Sequence, residues 1–367
     1  MLKTERPRRV VIKVGSSTLT DQAGRIDLNY IRDLASQIAE QHKDGLQLIL
    51  VTSGAIRAGS ERLSMDGRPR TLPEKQAAAA VGQGLLLQVY TDFFDHFGVT
   101  AAQVLLTRDD FRDRTRYLNA RNTLNALLEL QCVPIVNEND TVAVDEIRFG
   151  DNDTLAAMLA AATEADTLIL LSDVEGLYNG TPDNLVSEIE EITPEIETLA
   201  GGAGSETGTG GMRAKIEAAK IAMNCGVTMV IAHGRRERVI ADVLAGENIG
   251  TWFRCVGKCL ANRKRWIAFG AQVQGTITIN EGAKKMIAGR GKSLLAAGIV
   301  GVTGGFAAGD LVAIDDESGS RIARGLTNYG AEDLKKIQGK RSDQIEAVLG
   351  QREFDEVIHR DNMVLGV

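Results

Sequence analysis

Two lysines set the chemistry open to this chain. The first closes a glycine-rich stretch, Thr207-Gly208-Thr209-Gly210-Gly211-Met212-Arg213-Ala214-Lys215, that runs into an amphipathic pattern. Glycines let backbone N–H groups approach phosphate oxygens, a helix beginning there offers its positive end, and Lys215 adds a mobile charge. The stretch matches neither common nucleotide fingerprint. A Walker A loop ends in Gly-Lys-Ser/Thr, and a dinucleotide turn has a third glycine where Arg213 stands. Alone it reads as a phosphate cradle or as a flexible linker.

Lys13 is the sharper signal. It stands inside Val10-Val11-Ile12-Lys13-Val14-Gly15, a run that reads as a buried strand, where an unpaired ammonium is costly. It needs a counter-charge, and Asp153 or a bound phosphate would serve; the bland alternative is a lysine snorkelling from the strand end. Small and polar residues also follow the other apolar runs: Thr52-Ser53-Gly54-Ala55, Asn137-Glu138-Asn139-Asp140 and Ser172-Asp173-Val174-Glu175-Gly176, with Gly150-Asp151-Asn152-Asp153 opening a helix. Ligands of open parallel sheets bind beyond the carboxyl ends of the strands. Recurrence at one edge therefore points to a single large site.

The elements that must position these residues alternate as an α/β sheet requires. Runs 10–14, 46–51, 100–106, 133–136, 167–171 and 228–232 have the length and continuous apolar character of buried strands. Between them, 31–42 places Ile31, Leu34, Ala35, Ile38 and Ala39 on one helical stripe, and 118–130 does so with Leu124, Leu127 and Leu128. After Asn262-Arg263-Lys264-Arg265-Trp266 the texture changes to short strands and glycine turns at 275–279, 299–303, 310–314 and 322–326. A second, small β-rich module is expected there, with a modest basic excess that a solvated surface explains as readily as an RNA patch.

Bulk properties narrow the class. A length of 367 residues favours two domains, and 44% hydrophobic with 25% charged residues is an ordinary globular composition. The formal charge of −7 argues against general binding to nucleic acid or membrane surfaces. No apolar run has the length of a signal peptide or bilayer span, and four cysteines are few for this length, so a cytoplasmic location is expected. Cys255 and Cys259 lack a second Cys/His pair nearby, and no protein metal site is expected.

Taken together, Ile12-Lys13-Val14-Gly15-Ser16-Ser17, Val51-Thr52-Ser53-Gly54-Ala55-Ile56, Asn137-Glu138-Asn139-Asp140, Gly150-Asp151-Asn152-Asp153 and Gly208-Thr209-Gly210-Gly211-Met212 resemble, in order and spacing, the amino acid kinase family. Gly275-Thr276-Ile277-Thr278 and Ser293-Leu294-Leu295-Ala296-Ala297-Gly298-Ile299 resemble a PUA domain. That pairing points to the branch acting on glutamate rather than on acetylglutamate, aspartate, carbamate or uridylate. The resemblance implies an open, mainly parallel sheet sandwiched by helices over 1–262, a linker at 263–274, a PUA domain over 275–353 and a tail at 354–367.

It implies transfer of the γ-phosphoryl group of ATP to the γ-carboxylate of L-glutamate, giving L-glutamyl 5-phosphate, the first step of proline biosynthesis. A carboxylate is already ionised at neutral pH and needs no general base, so catalysis rests on alignment and charge neutralisation. Lys13 and Lys215 are then the catalytic lysines, oriented by Asp153. Ser53, Asp140 and Asn152 hold glutamate with help from Gly54 and Asn137. ATP falls to Lys13, Gly15, Ser172, Asp173, Thr209, Gly210, Gly211, Met212, Arg213, Ala214 and Lys215, with Mg²⁺ bridging its phosphates. Ser172 stands where threonine is common, and Arg213 where a small polar residue is usual. The resemblance further implies feedback inhibition by proline, a homodimer or homotetramer, and functional coupling to glutamyl phosphate reductase. Two rival readings stay open: another acyl-phosphate-forming kinase of this fold, and an RNA-binding or regulatory protein built on the PUA domain.

Overall fold

Six apolar runs of strand length form the parallel heart of one sheet in this computed structural model, which describes residues 7–65, 67, 69–142, 152–181, 183–200, 209–254, 273–350 and 354–366. The strands are β1 (Arg9–Val14), β2 (Gln47–Val51), β3 (Ala101–Leu106), β4 (Val133–Glu138), β5 (Thr167–Ser172), β6 (Glu188–Ile189), β7 (Thr228–His233) and β8 (Thr251–Phe253), in the order β3-β4-β2-β1-β5-β7-β8-β6. Pairing is parallel from β3 through β7; β8 runs antiparallel to β7, and β6 parallel to β8. Strands β6 and β8 have no counterpart in the sequence reading, because two or three residues are too few to show a period. β3 departs from the fully buried strand expected: among the described residues it is the sheet edge, paired with β4 alone, and most of it is half-buried with Gln103 exposed.

β1 lies in the middle, between β2 and β5. Val10, Ile12 and Val14 join a core with Ile31, Leu34 and Ile38 of helix Leu28–Lys43, and with Leu86, Tyr90 and Phe94 of helix Leu72–His96. Strand alternation turns Lys13 to the opposite face. There helix Asn152–Ala162 packs on β1, β4 and β5, and against helix Thr209–Asn224. The 31–42 stripe is buried as read, and Asp27 caps that helix by accepting from the Tyr30 N–H. In helix Arg114–Glu129, Leu124 and Leu128 are buried, while Leu130, placed in that helix by its sequence pattern, lies exposed beyond its end.

Helix Leu72–His96 went unread, although Thr71 and Glu74 form a capping box with Pro73 in the first turn. It crosses helix Ala55–Arg62 with glycine against backbone: a Cβ on Gly59 would fall 1.7 Å from the Ala78 carbonyl oxygen, and one on Gly82 1.8 Å from that of Ala55. Gly82→Ala is therefore expected to destabilise the first unit by about 3 kcal/mol through overpacking. Urea unfolding checks this, and a midpoint equal to wild type would contradict it.

Contacts divide the chain into two compact units, Met1–Asp110 with Thr115–Leu260, and Phe111–Arg114 with Ala261–Val367. In the second unit β9 (Gly275–Ile279), β10 (Ile299–Gly304), β11 (Leu311–Asp316), β12 (Arg321–Leu326) and β13 (Met363–Leu365) form a sheet ordered β10-β9-β11-β12-β13. Pairing is antiparallel except between β9 and β11. Its own core holds Ile277, Ile279, Val312, Ile314, Leu334 and Ile337. The segment read as a tail is part of this fold: Val357 and Ile358 are buried in that core, and β13 pairs with β12. Its short apolar runs are too brief to announce a strand. Residues 263–272 of the expected linker, with Cys255 and Cys259, lie outside the described residues.

Candidate active site

The parallel strands bring their carboxyl ends to one edge, and Lys13 lies one residue before the end of the central one. Its side chain is nearly buried, and its Nζ stands 2.5 Å from Asp153 Oδ1. Lys215 Nζ takes the other oxygen, Asp153 Oδ2, at 2.9 Å. One carboxylate thus holds two ammonium groups, which answers the demand for a counter-charge at Lys13. Burial pushes the Asp153 carboxyl up, but Lys13 and Lys215 outweigh it and hold the group below the usual carboxylate range. Gly15 lies beside this centre, where a Cβ would come within 3.8 Å of Lys13 Nζ.

Lys215 reaches Asp153 from a position different from the one the sequence pattern implies. Helix Thr209–Asn224 already includes the glycines, so Thr209, Gly210 and Gly211 form its first turn and Lys215 lies well inside it. Glycine disfavours a helix by about 1 kcal/mol relative to alanine. Burial of Ile216, Ala218, Ala219 and Ala222 offsets that cost. The first-turn N–H groups and the positive helix end are what the glycines leave open. Gly211 has open space around it and Arg213 is exposed, while Met212 and Ala214 are half-buried. Thr207 and Gly208 lie outside the described residues, as do Gly150 and Asp151.

Asn152, the residue before Asp153, belongs to a second cluster. Its Nδ2 donates to the Thr52 carbonyl at 2.8 Å, to Asn137 Oδ1 at 3.0 Å and to Ser53 Oγ at 3.1 Å. Asn137 Oδ1 also accepts from the Glu138 N–H at 2.9 Å, and Asn137 Nδ2 donates to Gln83 Oε1 at 3.1 Å. Gln83 Nε2 donates to the Glu138 carbonyl at 2.9 Å and makes a long contact of 3.5 Å with Asp140 Oδ2. Burial raises the Asp140 carboxyl to about 6, with the Gln83 amide opposing the rise. Gly54 caps helix Ala55–Arg62 at φ +98°, a left-handed conformation that suits glycine, so the first N–H groups of that helix open beside Ser53.

The structure therefore gathers Lys13, Asp153, Lys215 and Gly15 into one centre and Ser53, Asn137, Asp140 and Asn152 into another, with Gly54 at its rim. The pair Asn152-Asp153 joins the two. Ser172 and Asp173 lie at the same edge, at the end of β5 beside β1, where Ser172 Oγ donates to Asp173 Oδ1 at 3.1 Å. Gln83 escaped the sequence reading. Its signal was a polar residue interrupting the buried stripe Ala79, Gly82, Leu86, Tyr90 and Phe94 of helix Leu72–His96.

This arrangement has relatives. The amino acid kinase family matches residues 8–233, and the PUA domain matches 275–349. The chain is 50% identical to the glutamate 5-kinase of Thermoanaerobacter sp. (strain X514) over 362 residues, 97% of either chain. It is 50% identical to that of Moorella thermoacetica over 369 residues, 99% of this chain and 98% of the relative. Among solved structures, Giardia carbamate kinase superposes with a TM-score of 0.51 at 18% identity, over 69% of this chain and all of the other. That likeness is one of fold. A family match running from β1 to β7, with relatives half identical along almost the whole length, assigns the molecule: this chain belongs to the amino acid kinase family and carries a PUA domain later in its sequence.

Proposed function

We propose that this chain transfers the γ-phosphoryl group of ATP to the γ-carboxylate of L-glutamate, forming L-glutamyl 5-phosphate. The observation that carries this reading is the junction at Asn152-Asp153. One residue belongs to a largely buried cluster of amides and a carboxylate suited to an amino acid, and the next holds two lysines suited to a phosphoryl group. The half-identical relatives bear the name of that activity.

Two anions must meet in this reaction, so the site has to neutralise charge as they approach. Each lysine ammonium has three N–H donors and uses one on Asp153, which leaves the others for phosphoryl oxygens. Asp153, held anionic, keeps the ammonium groups in place and prevents their mutual repulsion from driving them apart. No proton needs to be removed from the acceptor. ATP enters as its magnesium complex. Both Asp153 oxygens face lysine, so phosphate oxygens and water, which suit this hard cation, would be its ligands beside this centre, and the ion would supply further neutralisation of phosphate charge. Gly15, Ser172, Asp173 and the first turn from Thr209 to Met212 line the nucleotide side, with Arg213 and Ala214 following on the same helix.

On the acceptor side, Asp140 pairs with the substrate ammonium, while Ser53 and the N–H groups beyond Gly54 take carboxylate oxygens. Only ionised Asp140 makes that pair, so protonation weakens it. With its carboxyl raised to about 6, kcat/KM for glutamate should fall about tenfold per pH unit below that value and level off above it. In Asp140→Ala the KM for glutamate should rise strongly with a smaller change in kcat. A flat profile from pH 5 to 8, or an unchanged KM, would remove Asp140 from the site.

Proline then acts as a feedback inhibitor overlapping the glutamate pocket, the kinase unit assembles as a homodimer or homotetramer, and the product passes to glutamyl phosphate reductase in the cytosol. Among the described residues no helix is long and apolar enough to cross a membrane. The test is an ATP- and glutamate-dependent hydroxamate assay with aspartate and acetylglutamate as competing acceptors. Hydroxamate formed faster from either competitor than from glutamate would overturn the assignment.

A further inference from the structure

Gln83 has a place in the substrate cluster that its sequence position does not announce. It sits in the middle of a long helix, on the buried face, and is itself buried. A polar amide there is unfavourable unless every donor and acceptor is used. Backbone groups decide which way the amides face, because a carbonyl only accepts and an N–H only donates. The Glu138 carbonyl requires Gln83 to present its NH₂ group, so Gln83 Oε1 faces Asn137. Asn137 then offers NH₂ to Gln83 and Oδ1 to the Glu138 N–H and to Asn152 Nδ2. Asn152, with its NH₂ also on the Thr52 carbonyl, donates to Ser53 Oγ. The two Asn152 hydrogens are shared among the Thr52 carbonyl, Asn137 Oδ1 and Ser53 Oγ, and an amide nitrogen accepts nothing, so the Ser53 hydroxyl keeps its own proton for another partner.

We propose that Gln83 is a positioning residue for the amino-acid substrate: together with the Glu138 N–H its amide holds Asn137, and Asn137 together with the Thr52 carbonyl keeps the Asn152 NH₂ turned towards Ser53, whose hydroxyl is left as a donor to the substrate carboxylate. This rests on the glutamate reading above. Without the Gln83 acceptor, the buried Asn137 NH₂ loses its partner, and rotating the amide to recover one takes the acceptor away from Asn152. Glutamate binding suffers, while the Lys13–Asp153–Lys215 centre, which Gln83 does not touch, is left in place. Gln83 also reaches Asp140 at 3.5 Å, so the same residue acts on the carboxylate assigned to the substrate ammonium.

The experiment compares Gln83→Met and Gln83→Glu with wild type by steady-state kinetics in glutamate and in ATP, pH profiles from 5 to 9, and thermal unfolding. Gln83→Met keeps the length of the side chain and removes both polar groups; it should raise the KM for glutamate about tenfold, with kcat and the KM for ATP changing less than about threefold. Gln83→Glu keeps the acceptor for Asn137 but sets a second carboxylate near Asp140. Among the described residues, burial and the Gln83 amide are the influences on the Asp140 carboxyl. The added charge should therefore move the inflection of kcat/KM for glutamate above its wild-type pH.

Wild-type glutamate KM in both variants, with an unmoved inflection, would overturn the proposal. So would losses shared equally by glutamate, ATP and kcat that track a lower melting temperature, since that pattern is structural. If Gln83→Met fails to fold, the same comparison of the glutamate KM against kcat and the ATP KM is made in Gln83→Leu, where an unchanged glutamate KM overturns the proposal. A wild-type protein that turns over ATP but not glutamate would sink the glutamate reading itself, which is a different result from a change confined to the variants.

Discussion

Replacing Lys215 with alanine should lower kcat by roughly a thousandfold while the KM for glutamate changes only a few-fold. The ammonium lies on Asp153 Oδ2, and in the proposed function it serves the phosphoryl group rather than the acceptor, so its loss should be felt where negative charge builds during transfer. Folding should be little affected, because Asp153 retains Lys13 on its other oxygen and no buried charge is stranded. Lys215→Arg is the useful control: a planar guanidinium keeps the charge but reaches a carboxylate in a different geometry, so only part of the rate should return. Stopped-time assays with saturating ATP and glutamate measure the effect. A Lys215→Ala enzyme with kcat near wild type would exclude this lysine from the transfer step.

Asp153→Asn should damage both activity and stability, and in a way that ATP repairs in part. The wild-type centre has two cations on one anion, all with side chains no more than 13% exposed. Removing the anion leaves two ammonium groups close together and short of water. Breaking a buried ion pair from one side typically costs about 3–5 kcal/mol. The free mutant should therefore melt well below wild type. Phosphate groups supply the missing negative charge, so magnesium–ATP should raise the mutant's melting temperature more than it raises that of wild type. Turnover should still fall by at least about a hundredfold, because the lysines lose the group that orients them. A mutant with wild-type melting behaviour and no extra response to ATP would contradict the counter-ion role.

Much of this molecule is legible residue by residue. The apolar runs around Val10–Val14, Leu48–Val51, Val133–Val136 and Leu168–Leu171 carry their strand character in their own composition, since a strand buried on both faces has little choice of side chain. Lys13 stands out for the same reason, as a charge where the local environment excludes one. Polar residues just past the strands mark the edge proposed for the ligands, and the order of the motifs points to the family. Helix 31–42 is equally plain, because an amphipathic stripe repeats over several turns.

Other features depend on what arrives from elsewhere in the chain. Gln83 meets Asn137 and Glu138 from 54 and 55 residues away, and it does so because helix Leu72–His96 is drawn close against helix Ala55–Arg62 at Gly59 and Gly82. The start of helix Thr209–Asn224 inside a glycine run, and the incorporation of Met363–Leu365 into the second sheet, likewise follow from burial that no local pattern displays. By itself the sequence determined the longer strands, the buried lysine among them and the edge at which polar residues gather, because each of these is written in the burial and periodicity of neighbouring residues. Only the tertiary structure decided that one carboxylate serves two lysines and that Gln83 is hydrogen-bonded into the amides beside it. Those arrangements are sums of distances and hydrogen-bond polarities across separate elements, and they exist only once the elements have packed.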